Sequence, residues 1–105
     1  MKFVNLNNKD VVVKKESGSI RFIAQEHSYF KIEKKIEKLN EMEGVPVTSV
    51  TYRTLGKLPK RKVGTIYIVP RVVASRNPGR DDLFIPDGIT DRSNGEIVCR
   101  SISLY

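Results

Sequence analysis

Gly64-Thr65-Ile66-Tyr67-Ile68-Val69-Pro70 constrains the fold more than any other stretch of the chain. Its apolar run is continuous rather than periodic, and a glycine and a proline close it at the length of a strand. Such a run reads as a central strand, Thr65 to Val69. The other apolar residues also come in short runs ended by turn formers. Residues 2–6 read as a strand, with Phe3 and Leu6 available to the core. Asn7, Asn8, Lys9 and Asp10 form a turn cluster, and Val11, Val12 and Val13 suit a buried strand. Ser17-Gly18-Ser19 then predicts a hairpin-like return into the alternating stretch around Ile20, Phe22 and Ala24, so the first quarter reads as an antiparallel meander. Later come a strand from Val45 to Tyr52, a polar connection over 54–64, and a short strand at Leu83-Phe84-Ile85. A final hairpin turns at Asn94-Gly95 and returns through Ile97 to Cys99.

Two segments depart from this rhythm. Pro70 to Arg76 reads as a short helix, since proline is tolerated in a first turn, with Val72 and Val73 facing inward and Asn77-Pro78-Gly79 ending it. Gln25 to Gly44 is two-valued. Phe30, Ile32, Ile36, Leu39 and Met42 contain helical spacing, whereas Phe30, Ile32, Lys34, Ile36 and Lys38 alternate with period two and lead into a turn at Met42-Glu43-Gly44. With 105 residues the chain has material for one core. The expected fold is therefore mainly β (α+β): a single small antiparallel sheet or partly open barrel, one short helix near residues 70–76, and a single domain over 1–105.

Charge is distributed unevenly. Gly44 to Arg80 holds Arg53, Lys57, Lys60, Arg61, Lys62, Arg71, Arg76 and Arg80 without an acidic residue, a local +8 in a chain whose net charge is +7. A one-signed field of this kind points to an anionic partner. No apolar run approaches the roughly 20 residues of a membrane span, and the start lacks a signal peptide's apolar region, so the expectation is a cytoplasmic protein without a membrane partner. Cys99 is the only cysteine and His27 the only histidine. They are far apart in sequence, so Cys99 reads as a buried structural thiol, and no metal-ligand spacing exists.

The residues that carry a family resemblance run through most of the chain. They include Val4-Asn5-Leu6, Ser17-Gly18, Gly44-Val45-Pro46-Val47, Leu58-Pro59 and Gly64 to Val69. They continue with Val73-Ala74, Arg80-Asp81-Asp82-Leu83, Pro86, Asp91, Arg92, Gly95 and Cys99-Arg100-Ser101. In this order they resemble a small family of uncharacterised phage, prophage and actinobacterial proteins opening with Val-Asn-Leu-Thr-Pro-His. Asn7-Asn8-Lys9 stand here where that pattern has Thr-Pro-His, so a role tied to its histidine does not carry over. The resemblance implies extended chain before Gly44, which tilts residues 30–42 toward strand. It also implies a viral or mobile-element setting, hence the cytoplasm of an infected bacterial host, and it brings no established activity.

Three function classes follow. The first is a sponge, a phage-encoded protein that sequesters a phosphate-containing nucleotide immune signal, of cyclic-nucleotide or cyclic ADP-ribose type, without cleaving it. Its expected ligand-binding residues are Arg71, Arg76 and Arg80, whose guanidinium forks match phosphate, with Ser75 and Asn77 as neutral donors, Asp82 beside them, and Tyr52 and Arg53 for stacking and charge. At about 100° per residue, positions 71 and 76 lie about 140° apart on a helix and share a face only loosely. A homo-oligomer is expected, because a short chain gains pocket depth at a subunit interface. The second class is a basic nucleic-acid-binding module, and the third a structural or protein-interaction accessory. Asp81-Asp82 is the one adjacent acidic pair beside the basic band, with no second cluster to complete a catalytic set, so neither enzymatic activity nor a cofactor is expected. The plainer role for Asp82 is a salt bridge to Arg80 or Arg76 that orders the loop. The Lys57 to Lys62 stretch reads as a soluble turn rather than a lid.

Overall fold

A computed structural model describes residues 1–25 and 30–105; His27 lies outside the described residues. The protein is mainly β with one short helix. Its strands are β1 (Lys2–Asn5), β2 (Asp10–Lys15), β3 (Gly18–Phe22), β4 (Phe30–Lys38), β5 (Thr48–Gly56), β6 (Thr65–Ile68), β7 (Leu83–Asp87), β8 (Glu96–Cys99) and β9 (Ser101–Leu104), and the helix α1 is Arg71–Ser75.

The strands form three sheets among the described residues, ordered β1-β6-β7-β9, β3-β2-β8 and β4-β5. The expected single antiparallel sheet and its opening meander are corrected here. β1 does not pair with β2 but runs parallel to β6, β6 runs parallel to β7, and β2 runs parallel to β8. Local turn signals report only hairpins: the β2–β3 pair lies where the sequence placed one, and the β4–β5 pair follows the strand reading of the two-valued segment. Parallel partners are joined through long excursions and leave no local mark.

The continuous apolar run of β6 has its reason in the layering. Tyr67 and Val69 join Leu6, Val73, Ala74, Leu83 and Ile85 in a core beneath α1. Ile68 points to the opposite side and joins Val11, Val13, Ile97 and Cys99 from the second sheet. Helix, four-stranded sheet and three-stranded sheet therefore stack as three layers, with β6 covered on both faces. Phe3, expected in the core, is instead 41% exposed and tilts against Phe22 with ring centroids 5.2 Å apart. Cys99 is fully buried, its Sγ 3.6 Å from the Val12 carbonyl oxygen, and burial pushes its thiol pKa up. The thiolate is the reactive form. Cys99 is therefore expected to ignore an aromatic disulfide reagent in the native state and to react at once in denaturant. Rapid labelling of the folded protein contradicts this placement.

The two-valued segment is a strand. β4 and β5 form a nine-pair hairpin with one-to-one register from Phe30↔Gly56 to Lys38↔Thr48. β5 starts later than expected and continues to Gly56, through residues read as connection. The hairpin turns between Met42 and Val45, where Glu43 and Gly44 both have positive φ (51° and 78°), as a primed two-residue turn requires. The hairpin projects from the layered body. The radius of gyration is 16.2 Å and the longest extent 52 Å, against a radius of about 13 Å expected for a compact chain of this length.

Candidate functional site

The basic band divides among several places in the fold. Its densest convergence is a cleft of about 500 Å³ between the chain leaving β5 and the C-terminal end of α1, lined by Gly56, Lys57, Leu58, Val73, Arg76, Asn77 and Arg80. Among the described residues no carboxylate lines it. Val73 sits there because α1 buries Val73 and Ala74 against the sheet, which leaves the residues after the helix at the cleft mouth. One Arg76 guanidinium nitrogen donates to the Tyr52 carbonyl, fixing that side chain across the gap to β5. Arg76 has no carboxylate within ion-pair distance among the described residues, nor has Lys57.

Arg80 is differently occupied. Its Nε donates to Asp82 Oδ1 at 2.7 Å and a terminal nitrogen to Oδ2 at 2.8 Å, a two-pronged pair. The same terminal nitrogen reaches the Pro59 carbonyl at 3.1 Å, and the Tyr67 hydroxyl reaches the Lys60 carbonyl at 3.4 Å. The pair therefore fastens the 57–62 loop to the start of β7. The hydrogen bonds and charge of Arg80 hold the carboxyl of the buried Asp82 below the usual aspartate range, and the same contact raises the pKa of Arg80. The structural reading of Asp82 is the one found, with Arg80 as its partner.

Ser75 and Asn77, expected as donors to a ligand, serve the helix instead. Ser75 Oγ donates to the Val72 carbonyl at 2.9 Å, and Asn77 Nδ2 to the Val73 carbonyl at 2.8 Å. A five-residue helix leaves most of its carbonyls unpartnered, and neighbouring polar side chains take them up. Asn77 lines the cleft all the same, whereas Ser75 does not.

Arg71, the other principal candidate, is elsewhere. It lines a separate cavity of about 330 Å³ together with Asn7, Asp87 and Arg92, near the C-terminal ends of the parallel strands β1, β6 and β7. Arg71 opens α1 and Arg76 follows its last residue, so the two side chains leave from opposite ends of the helix. Tyr52 and Arg53 lie on the projecting hairpin, where adjacent strand residues face opposite sides, and neither lines the cleft. Arg61 pairs with Asp81 at 2.6 Å on the surface. Lys57 and Arg92 were missed as site residues. Lys57 carried a signal, its place in the acid-free band, whereas Arg92 sits among Asp91, Ser93 and Asn94 and carried none.

Among the described residues no group of three or more His, Cys, Asp and Glu side chains comes together, and no helix is long and apolar enough to cross a membrane. No protein-family model matches the chain, and neither the curated proteins nor the solved structures give a match.

Proposed function

We propose that the protein holds a phosphate-bearing, nucleotide-type small molecule in the Lys57–Arg76–Arg80 cleft and sequesters it without cleaving it. The observation that carries this reading is the convergence of Lys57 and Arg76 on one concave surface where, among the described residues, neither has a carboxylate partner and no acid lines the wall. The volume falls within the range of about 300–1,000 Å³ usual for small-molecule sites. Arg76 is held by one hydrogen bond and keeps further N–H groups for a phosphate, while Lys57 supplies a point charge. Leu58 and Val73 give the ligand an apolar edge to rest on. In the setting that the resemblance implies, the ligand is a nucleotide immune signal.

Calorimetric titration with cyclic dinucleotides, cyclic ADP-ribose and ATP tests this, followed by heat denaturation and recovery of the ligand. Recovery unchanged supports sequestering, and a converted ligand points to an enzyme. Arg76→Ala and Lys57→Ala are each expected to weaken binding about tenfold, the loss of one charge-assisted contact at a partly exposed site. Arg71→Ala is expected to leave affinity unchanged, because it lines the other cavity. Affinity that follows Arg71 and ignores Arg76 removes the cleft from consideration.

A further inference from the structure

We propose that β4 is a docking edge for a second copy of this chain, joining two hairpins into a four-stranded antiparallel sheet in the order β5-β4-β4-β5 about a two-fold axis.

The first observation is which edge is open. A two-stranded hairpin has two outer edges, and on β5 the Tyr52 carbonyl is taken by Arg76 from the body. Tyr52 stands opposite Lys34, so the main-chain groups of Lys34 also point outward, away from β5. The ladder confirms this parity: Leu39 N–H donates inward to the Val47 carbonyl at 2.9 Å, so odd positions pair with β5 and even positions face out. No strand among the described residues takes up that outer edge. It runs nine residues, about 30 Å at 3.3 Å per residue, without the proline or bulge that normally blocks an edge.

The second observation is that the strand is complementary to itself. Residues 31–37 read Lys-Ile-Glu-Lys-Lys-Ile-Glu. An antiparallel copy centred on Lys34 sets Glu33 against Lys35 and Lys31 against Glu37, each twice, and Ile32 against Ile36. The four opposite-charge pairs fall at odd positions, which in the new ladder are the non-hydrogen-bonded sites where side chains approach most closely. The one like pair, Lys34 with Lys34, falls at the wider hydrogen-bonded site. Moving the centre to Lys35 sets Glu33 against Glu37, so charge selects the register. Residues 30–56 as a whole carry five cations and four carboxylates, so the hairpin is nearly neutral on a strongly basic protein and two copies approach there with least repulsion.

The third observation is need. An isolated two-stranded ribbon is marginal in water, and this one leaves Ile36 57%, Val50 43% and Tyr52 45% exposed on one face. Two more strands double the width of that face and bring the stripes of the two copies side by side.

Light scattering across a concentration series tests the proposal. The wild type is expected to pass from 11.9 kDa to twice that mass with a dissociation constant in the micromolar range, as befits an edge smaller than a standard interface. Glu33→Lys/Glu37→Lys makes the edge wholly cationic at its paired positions, and Lys31→Glu/Lys35→Glu wholly anionic. Each is expected to be monomeric alone, and an equimolar mixture to form the heterodimer. Lys34→Pro removes an outward N–H and no β4–β5 ladder bond, a place where an edge strand tolerates proline, and is expected to abolish the dimer while keeping the native circular dichroism, which covers the case of a charge variant that folds poorly. A monomeric wild type, single-sign variants that still self-associate, or a mixture that stays monomeric each overturns the proposal.

Discussion

Asn5→Ala is expected to destabilise the protein by about 3–4 kcal/mol, since it strips several buried polar groups of their partners at once. Asn5 ends β1 and is 2% exposed. Its Nδ2 donates to the Lys9 and Phe22 carbonyls, both at 2.9 Å, and its Oδ1 accepts from the Asn7 main-chain N–H at 2.9 Å and from Asn7 Nδ2 at 3.0 Å. Asn7 Nδ2 continues to the Ile68 carbonyl at 3.2 Å. One side chain thus closes the turn after β1, holds the end of β3 and, through Asn7, reaches the central strand. Alanine strips this partner from two part-buried carbonyls and from the buried main-chain and side-chain N–H groups of Asn7. Asn5→Asp keeps the acceptor for Asn7 but sets a carboxylate against two carbonyl oxygens, so it too is expected to lose stability, with partial recovery on acidification as the carboxyl gains a proton. The loss is a large share of the roughly 5–15 kcal/mol of an ordinary domain. Urea melts of the three proteins check it, and a shift of less than about 1 kcal/mol for Asn5→Ala means that water replaces the network freely.

Asn5 also shows where sequence reasoning stops. Asn7-Asn8-Lys9 announced a turn through composition, but nothing marks an asparagine at a strand end as the hub of a buried network, because its partners are main-chain atoms from distant segments. The strands were legible where the apolar pattern is local: β2, β6, α1 and the two primed turns lie where Val11–Val13, Ile66–Val69, Pro70 and the Glu43-Gly44 and Asn94-Gly95 pairs placed them. Pairing order was not, since β2 beside β8 and β1 beside β6 join residues some sixty to ninety positions apart. The site was legible in part. An acid-free band locates charge along the chain, but α1 then sends Arg71 and Arg76 to opposite ends, and Asp82 claims Arg80. Of the band's cations, only Lys57 and Arg76 then line one cleft without a carboxylate partner among the described residues.

Arg80→Ala is expected to cost about 3 kcal/mol near neutral pH, and the cost is expected to shrink on acidification. Removing the guanidinium leaves Asp82, whose side chain is 6% exposed, as a buried charge without its counter-ion, the costly way to break such a pair. It also frees the Pro59 carbonyl and with it the 57–62 loop. In the wild type the folded-state pKa of Asp82 is lowered, so the stabilisation is fully present above the ordinary aspartate range and is lost as pH falls through the lowered value. In Arg80→Ala the same carboxyl is buried without a partner, its folded-state pKa rises, and protonation relieves it, so the variant gains stability over the same descent. The two curves therefore converge in acid. Asp82→Asn is expected to cost less, about 1–2 kcal/mol, because Arg80 at 24% exposure can turn to water and the amide keeps one acceptor. Guanidinium melts of all three proteins from neutral to strongly acidic pH measure this. A gap between wild type and Arg80→Ala that stays constant with pH shows that the loss comes from the freed loop alone and that the Asp82 charge plays no part in it.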